Sequence, residues 1–234
     1  MSTHQSSTQR MLTVARPRPA SPDRLALDRV LLAAGALAGP LYIGLGLAQA
    51  LARPGFDLTR HDLSLLANGD FGWIQVGNFL LSGLLVIAGA IGLRRTALSQ
   101  PDPASGPWLI AGYGVGLIGA GLFAADPALG FPPGTPPDAT AISSHGLLHI
   151  VSAALGFLAL IAACGVFSRR FAAQRQTGWA IFSAVTGVVF LAGFVGIATG
   201  SGQRWAVLGF WLAVLVAWSW LTAIAARRLA QLSD

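Results

Sequence analysis

The sequence contains no lysine and no glutamate: all fifteen basic residues are arginine and all nine acidic residues are aspartate. Charge of either sign is scarce, at 10% of residues against roughly 25% for a soluble domain. A chain so poor in ionised side chains points away from a water-solvated globule and toward one solvated by lipid. Cysteine is nearly missing too. Cys164 stands alone, which excludes an intrachain disulfide and a cysteine-based zinc site; within its apolar run it reads as a small packing residue. Walker A, HExxH and G-x-S-x-G patterns are all absent, so the enzyme classes those motifs mark have no support.

What is present is mostly hydrocarbon, 54% of the chain. Six uncharged runs stand out, at about Val30–Ala52, Trp73–Leu93, Trp108–Ala125, His145–Phe167, Trp179–Gly200 and Trp205–Ala226. At 1.5 Å per residue each matches a ~30 Å hydrocarbon core. Lipid tolerates only helices and closed barrels, and these runs lack barrel alternation. The expected fold class is therefore all-α, an integral membrane six-helix bundle over residues 25–228. Residues 1–24 read as a disordered tail, since Pro17, Pro19 and Pro22 break any helix there; residues 229–234 form a short second tail. The small-xxx-small spacings Gly35/Gly39, Gly112/Gly116 and Gly196/Gly200 suit close helix packing in lipid.

Arginine sets the orientation. Twelve arginines fall in the N-terminal tail, the second and fourth loops and the C-terminal tail, against Arg53, Arg60 and Arg204 on the other side. The positive-inside rule then places both termini in the cytoplasm, with the first and third loops facing outward. Topology thus absorbs the net charge of +6, and a nucleic-acid partner is not expected. The partners expected are the bilayer and a lipid or small-molecule ligand. Trp211, Trp218 and Trp220 within the last span read as lipid contact or bundle packing.

The two outer loops are long and carry the polar chemistry. In the first, "GFDLTRHDLSLLANGDFGW", apolar residues interspersed with polar ones suit a short interfacial helix, with Thr59 as N-cap and Gly69 near its end. It would hold His61, Asp62 and Ser64 at headgroup depth. The third, "ADPALGFPPGTPPDATAISSHGLLH", is stiffened by five prolines. Ser143 or Ser144 can cap the fourth helix, placing His145 and His149 one turn apart on one face beside Asp126. Gln75 and Asn78 near the top of the second span, with Ser64, would complete a polar pocket for a substrate.

Three readings of these histidines stay open. His61, His145 and His149 could bind zinc with Asp126 as base, the pattern of a catalytic site with three protein ligands and water. They could form a metal-free site that titrates or binds a ligand. Or they could hydrogen-bond Asp126 and loop carbonyls, clamping the loop, with Gln75 and Asn78 as interhelical glue. The first makes the protein a metal-dependent hydrolase of lipid or lipid-linked substrate; the second makes it a non-catalytic sensor or accessory subunit.

The stretches "RHDLSLLANGDFGWIQVGNF", "GLFAADPALGFPPGTP" and "SHGLLH" resemble a bacterial membrane family catalogued as domain of unknown function 998. The resemblance spans most of the chain. His61, Ser64, Gly72, Trp73, Asn78, Asp126, Pro127, Pro132, Pro133, His145 and His149 match its motif positions. It implies a six-span membrane protein and supplies no activity. A looser similarity is to the alkaline ceramidase superfamily, membrane hydrolases that combine His, Asp and a helical HxxxH around zinc. This chain has six expected spans rather than seven, and its HxxxH opens the fourth. The orientation has a direct check: an enzyme reporter active only outside the cytoplasm is expected to work when fused after Asp138 and to fail after Arg170. Equal activity at both positions would reverse that reading.

Overall fold

Proline at a first helical turn loses no hydrogen bond, because the early N–H groups have no intrahelical partner. The first helix accordingly begins at Pro22, with Asp23 in its first turn, and runs to Ala52 as α1. This computed structural model describes residues 22–96, 105–139 and 141–232. Most of the expected N-terminal tail lies outside those residues, but Pro22–Arg24, assigned to it from sequence, are helical. The other long helices are α2 (Gly72–Thr96), α3 (Ser105–Leu122), α4 (Ser144–Ala173), α5 (Thr177–Thr199) and α6 (Arg204–Ala230). No strand is formed among the described residues; an isolated bridge joins Ala128 and Phe131.

Several helices run past their apolar runs at the arginine end, so the arginine pairs fall inside final turns rather than in loops. Arg94 and Arg95 end α2, and Arg227 and Arg228 end α6. Cations are stabilised there by the partial negative charge of helix C-termini. By length and composition, α1, α2, α4, α5 and α6 can each cross a membrane. α3 does not meet that test: six of its eighteen residues are glycine. Large apolar side chains such as Val30, Leu84, Val115, Leu155 and Val188 point outward from five different helices, as a lipid-facing surface requires.

Each helix packs against its neighbours in sequence, and α6 returns to pack against α1, closing a six-membered ring. Small residues allow the closest approaches. A Cβ on Gly116 would lie 2.6 Å from Gly156 Cα, and one on Gly35 would lie 2.7 Å from Gly89 Cα. Aromatic rings fill the middle of the ring: Trp218 stacks on Tyr42 at 4.7 Å between centroids and tilts against Tyr113 at 5.6 Å. Nearer the arginine end, Trp220 is fully buried and donates from Nε1 to Ser183 Oγ at 2.9 Å. Gly116→Val should cost about 1–3 kcal/mol by overpacking, seen as a lower melting temperature in detergent. Gly44→Val, where an added Cβ meets nothing within 4 Å, should change it little.

Candidate functional site: a capped cavity at the loop end

At the end away from the arginine pairs, two hairpin partners cap each other. The last carbonyls of α3 have no helical N–H to accept. His149, buried on α4, supplies the donor: its Nδ1 lies 2.9 Å from both Ala120 O and Phe123 O. Conversely, the first N–H groups of α4 need acceptors. Ser143 is the N-cap and accepts from Gly146 N at 3.0 Å. Asp126, just beyond α3, accepts from Ser143 N at 2.8 Å and from Ser143 Oγ at 2.6 Å. Its carboxylate lies over Gly146, where a Cβ would collide with it. The expected Ser143 cap is therefore formed, and Asp126 serves the N-terminus of α4 through it.

His145 goes elsewhere. It is exposed, with its ring edge-on to Phe123 at 5.8 Å. Helical spacing puts it near His149, yet only His149 faces the bundle. His61 is buried and committed at both ring nitrogens: Nδ1 accepts from Asp57 N at 2.9 Å, and Nε2 lies 3.1 Å from Leu129 O. Because Nδ1 accepts, Nε2 carries the proton and donates. His61 thus ties the first loop to the third. Among the described residues no group of three or more His, Cys, Asp or Glu side chains is placed to hold a metal ion. The expected three-histidine cluster is not assembled, because His61 spends both nitrogens on loop backbone and His145 turns outward.

The loops have their own logic. The short helix in the first loop is a 3-10 turn, Leu63–Ala67, capped by Asp62 rather than Thr59. Asp62 accepts from Ser64 N at 3.1 Å and from Ser64 Oγ. Thr59 instead donates twice to Asp57 Oδ1, and those bonds hold the Asp57 carboxyl below the usual aspartate range. In the third loop, Ala128 and Phe131 exchange backbone hydrogen bonds at 2.9 and 3.1 Å around Leu129 and Gly130, both with positive φ. That is the signature of a type I′ hairpin turn. A leucine at φ 57° is strained by roughly 1–2 kcal/mol. Its carbonyl accepts from His61, and its side chain packs over Gly202 in the α5–α6 turn. Arg53 completes the cap, donating to Leu66 O and Asn68 O and lying 5.1 Å from the centre of the buried Phe131 ring.

Gln75 and Asn78 are fully buried between α1 and α2, outside the cavity described next. Gln49 Nε2 donates to Gln75 Oε1 at 2.9 Å, and Asn78 Nδ2 donates to Tyr42 O at 3.1 Å. They act as interhelical glue, one of the roles their positions suggested.

Beneath the cap lies a cavity of about 680 Å³, walled by all six helices and both loops. Small residues on α3 and α4, including Gly116, Ala120, Ala153 and Gly156, leave the space. Its walls are chiefly apolar, with Phe79, Phe157, Phe194 and Phe210 among them. Polar groups are few. Of the residues singled out from sequence, Ser64, Asp126 and His149 line it; His61, His145, Gln75 and Asn78 do not. Sequence reasoning missed Tyr42 and Tyr113, the two tyrosines of the chain, both of which line it. Their polar tips deep within apolar spans were the signal available. Trp218 and Trp211 line it as well, and Trp211 Nε1 is buried with no acceptor among the described residues. The lining includes Asp62 and Asp126 and, among the described residues, no arginine.

A closed ring of apolar helices around a capped cavity defines a multi-pass helical membrane protein. The chain belongs to the family described as Protein of unknown function (DUF998), which it matches over residues 36–227. No curated protein and no solved structure matches it.

The Asp126–Gly146 contact can be measured. Asp126→Ala should cost about 1 kcal/mol through the weakened cap. Gly146→Ala should destabilise the native chain because the new methyl displaces the carboxylate. In an Asp126→Ala background the same change should become favourable by up to ~1 kcal/mol, since alanine is the better helix former. A double-mutant cycle of thermal stabilities gives the coupling; additivity would mean the carboxylate does not rest there.

Proposed function

We propose that this protein is a non-catalytic membrane sensor or accessory subunit that binds an amphiphile in the loop-end cavity. The observation that carries this reading is the cavity itself, about 680 Å³ with chiefly apolar walls, within the range of small-molecule sites. Water can occupy the polar rim near Asp62, Ser64 and Asp126, but the aromatic depth offers it few partners. An alkyl or isoprenoid chain suits the depth. The head of the ligand is neutral or cationic, because two aspartates and, among the described residues, no arginine line the chamber and an anion would meet uncompensated negative charge.

Hydrolysis has weaker support. A metal-dependent mechanism through His61, His145 and His149 would require these side chains to regroup and break the hydrogen bonds of His61. Asp126 is already bonded twice to Ser143, which leaves it poorly placed as a base. His149 has Nδ1 on the α3 carbonyls, so only Nε2 is left for a ligand, and there it serves as an acceptor. In this reading α3 also spans the bilayer, between α2 and α4. The arginine end faces the cytoplasm and the cavity cap faces outward in a bacterial cytoplasmic membrane.

Native mass spectrometry of protein purified in mild detergent tests the reading. One amphiphile per chain is expected to stay bound to the native protein. Ala153→Phe, which fills the cavity from α4, should lose it while holding or raising the melting temperature. A native protein that carries none, with Ala153→Phe indistinguishable from it, would overturn the proposal.

A further inference from the structure

A second cavity, of about 270 Å³, opens at the arginine end between α4 and α6, bounded by Leu93 of α2 and Pro107 of α3. At ~30 Å³ per water it has room for roughly nine, enough for a tetrahedral oxyanion with some of its hydration. Its lining includes Arg170, Arg227 and Arg228 with Gln174, Gln176 and Gln231, and no aspartate among the described residues. Two of the guanidinium groups are held in place rather than trailing toward headgroups. Arg227 lies 4.6 Å from the centre of the Trp179 ring and 5.1 Å from that of Phe171, and its Nη2 donates to Gln176 Oε1 at 2.7 Å. Its Nη1 is buried with no acceptor among the described residues. Arg228 donates from Nε to Thr96 Oγ1 at 3.0 Å, from Nη1 to Gln231 Oε1 at 3.0 Å, and from Nη2 to Thr96 O.

We propose that this arginine-lined cavity is a binding site for a phosphate group, carried by an anionic lipid headgroup or by free inorganic phosphate. Guanidinium forks match phosphate oxygens in pairs, and fixing them beforehand lowers the entropy lost on binding. Gln174 and Gln176 are among the other lining residues. Three guanidinium charges, with no aspartate among the described lining residues, draw an oxyanion toward the cavity. Arginines that only mark topology would bind any anionic surface without regard to the cavity. Arg94, at the same end but outside the lining, where it stacks on Trp108 at 4.9 Å, serves as the internal control.

The test uses full-length protein in phosphatidylcholine nanodiscs, titrated in one arm with phosphatidylglycerol and in another with inorganic phosphate. Binding is read by native mass spectrometry and by thermal shift. Saturable binding of one phosphate-bearing molecule per chain is expected, and the arm that saturates at the lower concentration identifies the source. Arg227→Gln should weaken it roughly tenfold or more, the worth of one charge-assisted hydrogen bond. Gln231→Asp, an exposed change beyond the end of α6 that puts a negative charge in the lining, should weaken it similarly without threatening the fold. Arg94→Gln should leave it unchanged. Absence of saturable binding in both arms, or an Arg94→Gln loss equal to that of Arg227→Gln, would overturn the site.

Discussion

The constraint on which the loop end depends is the obligation of every buried backbone group to find a partner. In lipid the alternative is several kcal/mol per unpaired group. At the α3–α4 hairpin that obligation is met by exchange. A side chain from α4, His149, closes the end of α3, and a side chain from beyond α3, Asp126, closes the start of α4 through Ser143. Each group stands where it must to serve the other helix, and both line the chamber. The mouth of the cavity is thus made from the caps themselves. The polar residues there are already fixed by structural bonds.

The same rule shapes the roof. His61 spends both ring nitrogens on backbone groups of the two loops, and Arg53 spends two guanidinium nitrogens on the carbonyls around Asn68. Loops of this length would be costly to order through their own contacts. Tied across to each other and to the α5–α6 turn through Leu129, they behave as one lid, with Phe131 completely buried beneath it. A leucine in left-handed backbone is tolerated because its carbonyl and its side chain are both held.

Much of this was legible in the residues, and the boundary of what was legible has physical causes. Apolar length gave the helices, glycine spacing gave the close approaches at Gly35 and Gly116, and Ser143 gave the α4 cap. Helical spacing puts His145 and His149 one turn apart but carries no information about which way each faces, and one is buried and the other exposed. The destination of His61 depended on the backbone path of a loop, and periodicity says nothing about that. The cap of the 3-10 turn was misplaced by three residues because Thr59 and Asp62 are both good caps; Thr59 is instead occupied by Asp57. Closure of the ring by α1 and α6 could not be inferred from hairpin adjacency. The cavity was invisible for a related reason: small residues of α3 and α4 open it, but its walls come from all six helices and both loops, a coincidence in space rather than a pattern along the chain.

The distribution of charge follows from the helix dipoles as much as from the membrane. The even-numbered helices all begin at the loop end and finish at the arginine end. Their N-termini carry partial positive charge and their C-termini partial negative charge. Asp126 sits at the beginning of α4, whereas Arg94 and Arg95, Arg170, and Arg227 and Arg228 occupy the last turns of α2, α4 and α6. One alignment of three dipoles therefore favours carboxylate at one end and guanidinium at the other, before any ligand is considered. With lysine and glutamate absent, short carboxylates stay close to the helix ends they cap, and planar guanidiniums can stack and fork where a lysine could not. The result is two cavities of opposite electrostatic character in one bundle. One is lined by aspartate and the other by arginine.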